Sequence, residues 1–258
     1  MKMRLISFEL LAEFGFFKKP DINDGLYLTY NIIHKPALLG ILGAIAGLQG
    51  YQNVGELPDY YKEFNKIKIG IKPLLSDNGN YTKEMLSYNN STGFASGEEG
   101  GNLIVTEQIL INPSYKCFLL LDLSNQNEKT LYENILSYEA MFLPYMGKND
   151  FSAWWTNAYI HDSYEKFDFS CDYKISTIFT KTEAVSNYVA KSMSSFSDET
   201  KELPFLYFEK LPIKFDENLF QYSYADFVYS NAKFNRVMNM KSSGEFYQIN
   251  DNEIIQLF

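Results

Sequence analysis

Lys35–Tyr51 reads KPALLGILGAIAGLQGY, and from Ala37 to Leu48 its twelve residues carry no charge and no polar side chain. Three of them are glycines. The run is too short to cross a bilayer, which takes about 20 apolar residues. It suits a buried helix, with Pro36 at a first-turn position where a missing N–H costs nothing. At roughly 100° per residue, Gly40, Gly43 and Gly47 fall within about 60° of one another, so one face is bare backbone. Interior glycine costs about 1 kcal/mol relative to alanine. Three on one face imply close approach to a sheet or a neighbouring helix. The positive end of the same helix is suited to meet a phosphate.

Working outward, RLISFELLAEF (4–14) alternates, with Ile6, Phe8, Leu10 and Ala12 on one side and Ser7, Glu9 and Glu13 on the other. That is the pattern of a half-buried strand. KIKIGIK (66–72) alternates strictly, with Ile67, Ile69 and Ile71 facing inward and Lys66, Lys68 and Lys72 forming a cationic outer face. Residues 76–102 are rich in Ser, Asn and Gly and form a long excursion, a mobile loop or an extended hairpin. LIVTEQILI and CFLLLDL read as strands. A helix over about 125–139 follows Ser124 as its N-cap, with Leu131, Ile135 and Tyr138 at helical spacing. FLPYMGKNDFSAWW (142–155) turns into a further strand.

The order β-α-β-(excursion)-β-(β)-α-β predicts an α+β, ferredoxin-like fold, the pattern shared by RNA-recognition motifs. It predicts a first domain over 1–164, the excursion included. Over 165–258 it predicts a β-rich C-terminal extension, with one helix near 182–193.

Composition narrows the function. The chain has 258 residues, 46% hydrophobic and 17% aromatic, enough for a large core. Two cysteines, Cys117 and Cys171, are too few for a disulfide framework. With His34 and His161 the only histidines, a structural zinc site is not expected, nor is any cofactor. Glu9 and Glu13 interrupt the apolar N-terminal residues, unlike a signal peptide, so the expected location is cytoplasmic, without a membrane. Net charge is −9, against nonspecific nucleic-acid binding. Residues 1–75 nevertheless hold nine Lys/Arg against seven Asp/Glu, a net of +2, and the remainder carries −11.

The stretch FELLAEFGFFKKPDINDGLYLTYNIIHKPALLGILGAIAGLQGY (8–51) closely resembles the N-terminus of the Cas-five family of CRISPR-associated proteins. The shared pattern is a first strand, an F-x-K/R-P turn, a TY before the helix, and a glycine-punctuated apolar helix. FLPYMGKNDF (142–151) resembles the family's second landmark, a P-Y-x-G-K/R turn. Together they cover roughly the first 60% of the chain. The details of YNIIHKPALLGILGAIAG are most similar to the type I-B branch.

The resemblance implies a subunit of Cascade, the RNA-guided surveillance complex. Such subunits hold the 5′ handle of the CRISPR RNA (crRNA) and cap the backbone filament. They lie beside the large subunit and the target DNA. A β-hairpin thumb is expected where residues 76–102 emerge, and the first helix is expected to pack by its glycines on the sheet.

Candidate RNA contacts follow. Lys18 and Lys19 follow two phenylalanines, giving charge beside stacking surface. Tyr30, His34 and Lys35 lead into the helix N-terminus. Lys66, Lys68 and Lys72 add the cationic strand face, and Tyr145 and Lys148 a second cluster. One branch of the family cuts repeat RNA with a tyrosine, a lysine and a histidine. Tyr30, His34 and Lys35 are the residues here for such an endoribonuclease, but no second histidine lies nearby in sequence to complete an acid–base pair. The expected chain is therefore a binder and not an enzyme.

Overall fold

The structure, a computed structural model, describes residues 2–20, 25–91, 97, 99, 101–181, 205–216, 218–234, 245–250 and 253–258. Strand β1 (Met3–Ala12) is followed by the short β2 (Phe14–Gly15) and β3 (Leu26–Tyr27). Helices α1 (Lys35–Ala46) and α2 (Asp59–Phe64) precede β4 (Lys68–Leu74). The hairpin β5 (Lys83–Asn89) and β6 (Ile104–Ile111) leads to β7 (Ser114–Asp122), α3 (Gln126–Ser137) and β8 (Ala153–His161). The described residues continue as β9 (Glu165–Lys166), β10 (Phe179–Thr180), β11 (Leu206–Asp216), β12 (Gln221–Ser230), β13 (Glu245–Asn250) and β14 (Glu253–Leu257). The helix expected near 182–193 and the tip of the excursion lie outside the described residues. The chain is α+β and rich in sheet.

The central sheet has the order β4-β7-β1-β8, and every neighbouring pair is antiparallel. Ile6 pairs with Leu119 and Ile160, and Ile69 pairs with Leu119 from the other side. The inward faces of β1 and β4 share one core with α1 and α3. Ile6, Phe8, Leu10 and Ile69 are fully buried together with Leu39, Leu42, Leu131 and Ile135. The same core takes in Ile178, Leu211 and Phe227 from the C-terminal strands and the segment before them.

Helix α1 begins at Lys35, with Pro36 in its first turn, and ends at Gly47 in the left-handed conformation, φ 83°. The glycine face packs against α2, not against the sheet. A Cβ on Gly43 would lie 2.3 Å from Cβ of Tyr60, so the helices meet there at backbone distance. Gly40 faces the Tyr60 ring at 3.7 Å, ordinary contact. Gly47 is therefore a cap, Gly43 the close approach, and Gly40 has room beside it. Helix α3 is capped by Asn125 rather than Ser124. The Asn125 Oδ1 accepts from the N–H groups of Asn127 and Glu128 at 2.9 and 3.2 Å, while Ser124 donates its hydroxyl to Asp122. An Asn one residue closer reaches the free N–H groups of the first turn.

The opposite face of the sheet differs most from expectation. β1 is buried on both sides in its middle, because the β13–β14 hairpin covers it. Leu5, Phe118 and Leu120 pack under Tyr247, Ile249, Ile255 and Leu257. A Cβ on Gly70 would meet the Gln256 carbonyl at 2.9 Å, which is why the strand carries glycine between its two lysines. Those lysines are paired: Lys68 to Glu245 at 2.7 Å and Lys72 to Glu253 at 3.5 Å. The outer edge of β4 is bonded too, through Ile69 with Phe258 and Ile71 with Ile178.

Candidate nucleic-acid interface

The two sequence landmarks, about 125 residues apart, touch one another. Phe16 N–H donates to the Met146 carbonyl at 3.0 Å. Gly147 adopts φ 88°, and a Cβ there would sit 1.7 Å from the Phe16 carbonyl oxygen. Only glycine fits that backbone contact. The second turn closes on itself by Met146 N–H to Phe151 and Phe151 N–H to Lys148. The first turn is tied down by Phe17 N–H donating to the Thr29 hydroxyl at 2.8 Å and Tyr30 N–H donating to the Phe17 carbonyl.

From the start of α1 along its length, the turns and the helix bound a cleft of about 490 Å³. Phe16, Phe17 and Lys18 enter from the first turn, and Tyr145 and Gly147 from the second. Ala37, Gly40 and Ala44 from α1 also line it, as do Tyr60, Phe215 and Tyr222. Beside it Phe142 is 44% and Leu143 68% exposed.

His34 lies at the inner end of this cleft, 5% exposed, and caps α1. Its Nδ1 accepts from Ala37 N–H at 3.3 Å. The proton of the neutral ring therefore sits on Nε2. The rings of Tyr30 and Tyr222 stand edge-on to the imidazole at 5.4 and 5.5 Å. Burial lowers the His34 pKa to about 3, so the ring is neutral throughout the physiological range. Burial likewise pushes Tyr222 up to about 12, which keeps its hydroxyl protonated.

Of the residues singled out in the sequence, the cleft gathers Lys18, His34 and Tyr145. Lys18 Nζ rests 3.8 Å over the Tyr27 ring. Lys19 lies 3.8 Å from the buried Glu209 and over Tyr30, itself 3% exposed. Glu209 in turn accepts from the N–H groups of Asn31 and Ile32, which locks the segment before α1 onto β11. Lys35 is buried and donates to the Phe258 carbonyl at 2.9 Å. Burial, with Lys68 nearby, lowers its pKa to about 8. Lys66 is exposed just before β4. Lys68 and Lys72 lie on the covered sheet face. Lys148 reaches away to the hairpin, bonding Glu107 at 2.6 Å and the Tyr88 hydroxyl at 3.0 Å. Glu107 is 2% exposed, so this pair joins the second turn to the middle of the β5–β6 hairpin.

The sequence reading missed Tyr51, Tyr60, Phe142, Phe215 and Tyr222, the aromatic walls of the cleft. The one available signal was an aromatic content of 17%, which does not say where the rings converge. Among the described residues no group of three His, Cys, Asp or Glu side chains is placed to hold a metal, and no helix is long and apolar enough to cross a membrane.

No family model and no curated protein matches the sequence. Among solved structures, the chain is similar to one from a CRISPR RNA-guided surveillance complex, at 12% identity and a TM-score of 0.47 over 90% of this chain and 92% of that one. It is similar to a chain of a type III-B Cmr-beta complex bound to cognate target RNA and AMPPnP, at 10% identity and 0.48 over 91% and 86%. It is also similar to a CRISPR protein from Archaeoglobus fulgidus, at 11% identity and 0.44 over 98% of each chain.

Proposed function

We propose that this chain is a non-catalytic, Cas-five-like subunit of a type I CRISPR surveillance complex, in the manner of the type I-B branch. It grips the 5′ handle of crRNA and caps the backbone filament. It works in the cytoplasm beside the backbone and large subunits, with target DNA bound by the assembled complex. The observation that carries this reading is the meeting of the two landmark turns. Residues that resemble the family in two distant stretches converge, through Gly147 and Phe16, on one aromatic cleft along α1.

Other features support it. The units β1–α1–β4 and β7–α3–β8 in the strand order β4-β7-β1-β8 support a ferredoxin-like reading of the core. The β5–β6 hairpin, with Met85 and Ile104 exposed, suits a thumb reaching over a guide. The acidic remainder of the chain suits basic surfaces on neighbouring subunits.

The chemistry of His34 favours binding over cutting. A general base needs a free lone pair near neutral pH. Nδ1 spends its lone pair on the helix N–H, and Nε2 carries the proton. Lys35, the cation of the endoribonuclease alternative, is turned to Phe258.

Copurification from the native operon with sequencing of the bound RNA tests the reading. Repeat-derived RNA with a uniform 5′ end is expected, together with backbone subunits. The purified chain is expected to leave repeat RNA intact with or without metal. Specific cutting lost on His34→Ala would overturn the non-catalytic assignment.

A further inference from the structure

We propose that the cleft beside α1 receives a single unstacked nucleobase, with the His34 Nε2–H as its hydrogen-bond donor. This rests on the RNA-binding reading above and specifies which part of the RNA enters.

The lining suits a base better than a phosphate. Ala37, Gly40 and Ala44 recur on one face of α1 and make a floor without long side chains. Tyr60, Phe142 and Tyr222 stand around it. A volume of about 490 Å³ is of the size that encloses a small planar ligand between apolar walls with a few placed polar groups. Lys18 is the one charged residue among the described lining residues, and its ammonium is held over the Tyr27 ring, outside that lining. A phosphate drawn in here would lose its hydration with no cation directed at it. A base has two π-faces for the rings and an edge of carbonyl and ring-nitrogen acceptors.

The donor is already in place. His34 is 95% buried by its 5% exposure, yet its Nε2 has no hydrogen-bond partner among the described residues. Nδ1 is committed to the helix, and the flanking rings of Phe17, Tyr30 and Tyr222 fix the imidazole plane. A fixed neutral N–H offers one hydrogen bond to an acceptor on a base edge. Gly43 is needed where α2 crosses, but Gly40 is not, since alanine there would meet only the Tyr60 ring at 3.7 Å. A missing side chain at position 40 thus leaves the floor open.

Fluorescence anisotropy on the full chain at low salt tests this with two labelled RNA octamers of equal charge, one of mixed sequence and one wholly abasic. The abasic octamer is expected to bind about tenfold more weakly or worse. Gly40→Leu, which fills the floor, should bring the mixed octamer down to the abasic level and leave the abasic affinity unchanged. Equal binding of the two octamers by the wild-type chain overturns the base pocket while leaving RNA binding intact. So does a folded Gly40→Leu chain that still discriminates between them. If neither octamer binds, the RNA-binding reading falls and the pocket with it. The wild-type comparison stands even if Gly40→Leu does not fold.

Discussion

Two lysine-bearing regions end in different surroundings, although each commits a lysine to a carboxylate of the C-terminal strands. The strand KIKIGIK offers Lys68 and Lys72 on a strictly alternating face, the more regular cationic signal of the two. That face is closed by β13–β14, and both ammonium groups meet carboxylates of the C-terminal strands. The turn FFKKP offers Lys18 and Lys19 without periodicity, yet it borders an open cleft with aromatic walls. A row of like charges on one face predicts only that the face has a counter-charge. Whether that counter-charge is solvent, a nucleic acid or the protein's own acidic strands is set by what the rest of the chain places there.

The largest way to break the comparison is to separate the two landmark turns. Gly147→Val forces a side chain into the Phe16 carbonyl at a left-handed backbone position. It should cost roughly 2–5 kcal/mol of stability, seen in chemical unfolding, and abolish the cleft. Unchanged stability would mean that the turns do not meet.

Next comes the glycine face. Gly43→Leu should lose about 1–3 kcal/mol by driving α2 away, whereas Gly40→Ala should be neutral or stabilising by up to about 1 kcal/mol. Equal effects at both positions would remove the distinction between a packing glycine and a floor glycine.

The charge contrast itself is sharpened by paired variants. Lys18→Ala should lower the salt slope of RNA binding by about 0.7. Lys68→Ala with Lys72→Ala should leave that slope unchanged, and a reversed result would relocate the RNA surface to the covered sheet face.

The smallest effect is the acid response of that covered face. Lys68 and the Tyr247 hydroxyl hold the Glu245 carboxyl down at about 2, below its usual 4.5. A depressed carboxylate contributes stability above its unfolded pKa and loses it as pH falls through the folded one. Wild type should therefore exceed Glu245→Gln by under about 1 kcal/mol at pH 7, because the pair is partly exposed. The gap should close between pH 4.5 and 2, as followed by denaturant titration at each pH.

Local chemistry was legible in the sequence, and long-range closure was not. The alternation of β1 and β4, the apolar run of α1 and the turn at Gly147 follow from side-chain period and backbone preference within a few residues. The N-cap of α3 was missed by one residue, because Ser and Asn compete for the same free N–H groups and geometry decides between them. His34 read as a candidate contact, but its tautomer follows from the Ala37 N–H and its neutrality from the rings around it.

The sequence by itself determined strands β1, β4 and β7, helices α1 and α3, where the charge lies, and that one face of α1 is bare; it did not give α2. Only the tertiary structure decided that this face meets Tyr60, that the lysines of β4 are covered, and that rings from positions 51, 60, 142, 215 and 222 enclose one space. Periodicity is a property of neighbours a few residues apart. Enclosure depends on contacts between segments more than a hundred residues apart, and no local pattern carries that distance.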